Sequence, residues 1–143
     1  MKSALLLVPA IVALSACQQP KEVSVGKAWI RLAAVPSNPS AAYFTLKGGP
    51  KDSTLTGVST TAAMRSEMHE SMNAGGMMSM APLKLVALRA AGEVKFAPGG
   101  KHVMLYGLKA TAGGTVPLTF TFADGHSLTA SAKVVGAGDP SPE

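Results

Sequence analysis

Glycine, proline and Asp-Gly break the chain between Val23 and Val135 into short runs, none of which keeps an apolar period near 3.6 residues for the three or so turns a packed helix needs. Strands are therefore the building units. Val23 to Arg31, Ala41 to Lys47, Leu55 to Thr61, Leu83 to Leu88, Glu93 to Phe96, Lys101 to Leu108, Val116 to Ala123 and Ser127 to Val135 carry β-branched and aromatic residues in partial or clean alternation. In Thr119-Phe120-Thr121-Phe122 the alternation sends both phenylalanines to the core and both threonines outward. Pro36-Ser37-Asn38-Pro39 and Gly48-Gly49-Pro50 close the first two runs, Ala97-Pro98-Gly99-Gly100 separates two later ones, and Asp124-Gly125 marks a tight hairpin. So many short strands predict an all-β fold, an antiparallel Greek-key β-sandwich.

The chain has 143 residues, enough for one domain that buries roughly two-thirds of its unfolded surface without disulfides. Its single cysteine, Cys17, excludes an internal disulfide and any two-thiolate metal site. Lys2 and the apolar run Ala4 to Ala13 make a leader of signal-peptide length, too short to span a bilayer. Leu14-Ser15-Ala16-Cys17 resembles the bacterial lipobox, in which the cysteine sulfur receives a diacylglycerol. With about 0.8 kcal/mol per buried methylene, two or three acyl chains anchor a protein stably. Residues 1–16 are thus expected to be a lipoprotein signal peptide, 17–22 a lipidated tether, 23–135 the β-domain and 136–143 a disordered tail. The expected location is the periplasmic side of the envelope. Gln18, where sorted lipoproteins retained at the inner membrane carry aspartate, favours the outer membrane in a Gram-negative cell.

The formal charge of +5 is scattered along the chain, with no basic run or aromatic-interleaved stripe, which argues against nucleic acid as a partner.

Every methionine except Met1 lies between Met64 and Met104, together with two of the three histidines. Four residues stand out by spacing: His69, Met80 after ten intervening residues, His102 after twenty-one more, and Met104 two positions on. His102 and Met104 sit two apart in a strand-like run, so they point to one face about 7 Å apart and can share an ion. Met78 and Met80 have the same relation. Thioethers bind hard cations poorly, whereas copper(I) accepts sulfur and imidazole together. Neutral donors also favour a monovalent over a divalent ion where water is partly excluded, and methionine survives oxidising compartments better than thiolate. Met68, Met72, Met77 and Met78 are further candidate donors. Methionine clusters also serve as core filler or docking surface. Here Glu67, Glu70, Ser71, Asn73, Gly75 and Gly76 surround them, which suits an exposed loop. His126, beside Asp124-Gly125 and away from any methionine, is read as exposed.

The pattern His69, ten residues, Met80, twenty-one residues, His102, one residue, Met104 is similar to the H-x10-M-x21-H-x-M signature of the PCuAC family of periplasmic copper chaperones. The resemblance extends over Ala28-Trp29-Ile30-Arg31, Ala41-Ala42-Tyr43-Phe44, Phe96 to Leu105, Gly107-Leu108-Lys109 and Val116 to Phe120. It implies a cupredoxin-like sandwich that binds one copper(I) and hands it to an acceptor, such as an apo oxidase copper domain or a thiol-type assembly factor. Two features depart from the family: His69-Glu70-Ser71 lacks the second histidine of a His-x-His pair, and the tail lacks the His/Met-rich extension that some relatives carry.

A monomer without enzymatic activity is expected. A type 1 electron-transfer centre would need a cysteine thiolate in the domain, His69-Glu70-Ser71-Met72-Asn73 is not an H-E-x-x-H helix, and no G-x-S-x-G occurs. The competing readings are a copper storage or detoxification lipoprotein and a lipid-anchored interaction domain without metal.

Overall fold

The structure, a computed structural model, describes residues 20–142. The leader, the lipobox and Cys17 lie outside the described residues, so the signal-peptide and lipidation expectations find no structural counterpart here. Ten strands occur among the described residues: β1 (Ser24–Arg31), β2 (Ser40–Lys47), β3 (Ser53–Ser59), β4 (Arg65–Ala74), β5 (Met77–Pro82), β6 (Val86–Leu88), β7 (Glu93–Phe96), β8 (Lys101–Tyr106), β9 (Thr115–Phe122) and β10 (Ser127–Val135). They form one continuous sheet in the order β5-β4-β8-β7-β2-β1-β10-β9-β3-β6.

That sheet curls until its two arms meet. The Ser66 hydroxyl on β4 donates to the Val58 carbonyl on β3 at 2.6 Å, although the two strands are far apart in sheet order. The enclosed core is built by alternation: Val116, Leu118, Phe120 and Phe122 of β9 are buried while Thr115, Pro117 and Thr121 face outward. Phe44 of β2 stacks on Phe96 of β7 at 4.3 Å and meets Phe120 of β9 edge-on at 4.8 Å. Rings from both arms thus close the middle of the core.

The predicted strands are present with ends moved by a few residues; the Leu83 to Leu88 run, for instance, is strand only from Val86. The Asp124-Gly125 hairpin joins β9 to β10, with Gly125 at φ 85° and the Phe122 amide donating to the His126 carbonyl. His126 is exposed, as expected.

Two features differ from the sequence reading. The sheet is not wholly antiparallel, because β1 and β10 run side by side in the same direction (Trp29 opposite Lys133). No turn joins these first and last strands, so no hairpin constrains their direction. The relation of β7 to β8 was not read from the sequence: the two do not form a hairpin across Ala97 to Gly100. Both pair antiparallel with β2, β8 along Ser40 to Ala42 and β7 along Phe44 to Lys47, and the turn is an excursion between two stretches of one edge. The second difference is that the segment around Glu67 to Gly76 is no loop. It is β4 and the turn of a β4–β5 hairpin closed by Gly75 (φ 62°) and Gly76 (φ 80°), the two consecutive positive φ angles that a two-residue turn between twisted strands requires. Few residues of β4 favour strands; pairing with β8 on one side and β5 on the other decides its conformation.

Beyond β10, where a tail was expected, Gly136 to Asp139 form a turn in which the Gly136 amide donates to the Asp139 carboxylate at 2.7 Å.

Candidate metal centre

Register brings the four spaced residues to one face of the β5-β4-β8 arm. His69 on β4 lies directly opposite His102 on β8, and Glu67 opposite Met104. Across the other edge of β4, Ser71 lies opposite Met80 on β5, so Met80 is the diagonal neighbour of His69. Val103 and Leu105 are fully buried in the core, which turns His102, Met104 and Tyr106 to the other face. The two imidazoles stand 6.1 Å apart between ring centres, inclined by 25°.

Burial grades across the three strands. His102 is 8% exposed, His69 and Met104 are half-buried, and Met80 on the outermost strand is 58% exposed. The site is closed on the β8 side and open at β5.

Each imidazole has one nitrogen engaged. Nδ1 of His102 lies 2.9 Å from the Gly100 carbonyl oxygen, and Nε2 of His69 lies 3.1 Å from Oε2 of Glu67. Nδ1 of His69 is buried and has no partner among the described residues. A buried polar atom without a partner calls for an explanation. A ligand for a soft ion is one that fits its chemistry, since two imidazoles beside thioethers suit copper(I) better than any hard cation.

Glu67, Arg65 and Tyr106 complete the face and were missed at the sequence level. Arg65 Nε lies 3.4 Å from Glu67 Oε1, the Arg65 guanidinium sits 4.1 Å over the Tyr106 ring, and the Tyr106 hydroxyl lies 3.5 Å from Glu67 Oε2 and 3.7 Å from the Met104 sulfur. The hydrogen bond from His69 is the main reason that the Glu67 carboxyl is held below the usual glutamate range; Arg65 and Tyr106 add to it and desolvation opposes it. The signal for Glu67 was its place two residues before His69 on a strand, which puts both on one face. Tyr106 follows Met104 in the same way.

The surplus methionines divide. Met68 is 5% exposed and packs in the main core, on the face of β4 away from His69, so its expected place among the auxiliary donors is corrected: alternation sends it inward. Met72 shares that reverse face further along β4, where it is exposed. Met77 and Met78 are both exposed; Met78 alternates with Met80 onto the histidine face and Met77 does not.

The sequence profile of the LpqE-like family, described as putative lipoproteins, matches residues 23–134. The chain belongs to the LpqE-like family. Among curated proteins, this LpqE-like chain is 33% identical over 114 residues to the "Putative lipoprotein Lxx21020" of Leifsonia xyli subsp. xyli, covering 77% of the chain and 68% of that protein. Among solved structures it is similar to copper(I)-bound DR1885 from Deinococcus radiodurans, with a TM-score of 0.64 and 28% identity over 85% of this chain and 83% of that one. It also resembles the copper-bound PCuAC domain from PmoF2, with a TM-score of 0.65 and 18% identity over 83% and 97%. The latter likeness is one of fold alone. The LpqE-like chain therefore has the cupredoxin-like β fold of PCuAC domains, as the sequence resemblance implied.

Proposed function

We propose that this LpqE-like protein is an extracytoplasmic copper(I) carrier that holds one ion through His69, Met80, His102 and Met104 and passes it to an acceptor protein, in the assembly of oxidase copper sites. The observation that carries this reading is the register of β4, β8 and β5, which gathers two imidazoles and two thioethers from three strands onto one face. The similarity to copper(I)-bound DR1885 supports the choice of metal.

The gradient of burial suits a carrier. Ligands on rigid, doubly paired strands hold the ion from below, and exposed Met80, with Met78 beside it, gives an acceptor a place to exchange ligands one at a time. The neutral donors leave the ion's single charge uncompensated, and the carboxylate beside them, that of Glu67, is shared with the Arg65 guanidinium. Nothing is transformed in the process, so the protein is not an enzyme. The lipoprotein relative supports anchoring through Cys17, and Gln18 favours the outer membrane in a Gram-negative cell.

The test is titration of the reduced protein with copper(I) against a competing chelator, followed by mixing with an apo oxidase copper domain. The expected outcome is one tightly held ion that moves to the acceptor. Loss of one hydrogen-bonding partner behind a metal ligand costs about 10- to 100-fold in affinity, so replacing two ligands in His102→Ala/Met104→Ala should cost more than that. Unchanged binding in the double variant would remove the site, and retention of copper in the presence of acceptor would turn the reading towards storage.

A further inference from the structure

We infer that Glu67 is a positioning residue that holds His69 in its Nε2–H tautomer, so that His69 offers Nδ1 to the cargo while His102 offers Nε2. The inference rests on the carrier reading for the identity of the cargo; the tautomers themselves belong to the metal-free protein.

A carboxylate has only acceptor sites. A glutamate side chain at neutral pH is ordinarily a carboxylate, so at 3.1 Å from Glu67 Oε2 the His69 Nε2 must be the donor. A neutral imidazole carries one N–H, which leaves Nδ1 with a bare lone pair. The environment of Nδ1 agrees: it is buried and meets no hydrogen-bond acceptor among the described residues, so a proton there would have nowhere to go. At His102 the polarity is reversed. The Gly100 carbonyl oxygen 2.9 Å from Nδ1 can only accept, which puts the proton on Nδ1 and the lone pair on Nε2.

Glu67 is itself braced. Arg65 reaches one carboxylate oxygen, His69 and the Tyr106 hydroxyl reach the other, and the guanidinium lies over the Tyr106 ring. Tyr106 also touches the Met104 sulfur, so the group that orients one imidazole is tied to a thioether of the same face. A carbonyl fixed in the backbone orients His102, whereas a side chain that can be replaced orients His69. The two imidazoles can therefore be perturbed separately.

Nitrogen-15 NMR of the imidazoles in the metal-free full chain at neutral pH reads the tautomers directly. The expected result is Nε2–H for His69 and Nδ1–H for His102. Glu67→Ala should release His69 from its single tautomer and leave His102 unchanged, whereas Glu67→Gln, whose carbonyl oxygen still accepts, should preserve it. Copper(I) affinity should fall about 10- to 100-fold in Glu67→Ala and less in Glu67→Gln, and the His69 Nε2–H should persist in the copper(I)-loaded protein. Nδ1–H at His69 in the metal-free chain, an unaltered tautomer in Glu67→Ala, or loss of Nε2–H on loading would each overturn the inference. Should Glu67→Ala fail to fold, the unmodified chain and Glu67→Gln still decide it. Failure of the unmodified chain to bind copper(I) would overturn the carrier reading and the cargo half of this inference; a wrong tautomer overturns the inference alone.

Discussion

Glu67 lies opposite Met104 and two residues from His69, and its carboxylate touches the His69 ring directly and Met104 only by way of the Tyr106 hydroxyl. Its lowered pKa makes it a stabilising group with a definite pH window. Because the carboxyl titrates lower in the folded chain than its ordinary value of 4.5, its contribution is present above that value and is lost as the pH falls through the folded-state value. The side chain is 39% exposed, so solvent screens the interaction and the effect is modest. In the metal-free protein, thermal unfolding of Glu67→Gln should begin at a lower temperature than that of the unmodified chain at neutral pH, and the gap should close in acid below the ordinary glutamate range. A gap independent of pH would mean that the charge of Glu67 contributes nothing. At this scale the sequence was most informative about spacing and least about partners. His102 and Met104 were legible together because strand geometry relates residues two apart. The contact between Glu67 and Tyr106 spans 39 positions and exists only once β4 and β8 have taken their register.

Among the strands, β5 is the exception in the candidate site: it has one neighbour, β4, whereas β4 lies between β5 and β8. Strand ends and edges open locally at lower free energy than the interior of a sheet. Amide hydrogen exchange should therefore show β5 exchanging well ahead of β8 in the metal-free protein, and copper(I) should slow β5 in particular, because Met80 would then tie it to the imidazoles. Equal protection of β5 and β8 before loading would contradict the gradient. The β4–β5 hairpin is also where reading by propensity stopped short. Gly75-Gly76 between two runs is a hairpin signal, yet Arg65 to Ala74 contains no β-branched residue and reads as polar loop. Thr119 to Phe122 was legible because propensity and alternation agree there, and β4 was not because its strand character is imposed from both sides.

In the whole molecule the two arms of the sheet are joined by the β1–β10 pairing and, across the core, by aromatic packing. Phe120 is completely buried and meets Phe44 from the opposite arm. Phe120→Ala should destabilise the fold by about 3–5 kcal/mol, the usual cost of removing a buried ring, as measured by chemical denaturation; a loss near 1 kcal/mol would mean that the arms are held elsewhere. The all-β architecture could be read from punctuation alone, while the direction of β10 beside β1 could not, since no local signal passes between strands at opposite ends of the domain.

The register of β1, β2 and β8 also puts the entry to the domain and the candidate site at opposite ends of β2. Arg31 and Met104 are both level with Ala41, while Ser24, where the chain enters the domain, is level with Lys47 at the other end of β2. The six residue steps from Ala41 to Lys47 span about 20 Å. A chain held to a bilayer by residues ahead of Ser24 would stand with Met104 and its neighbours at the far end, turned towards the aqueous space where a soluble or membrane-bound acceptor could reach them without displacing lipid.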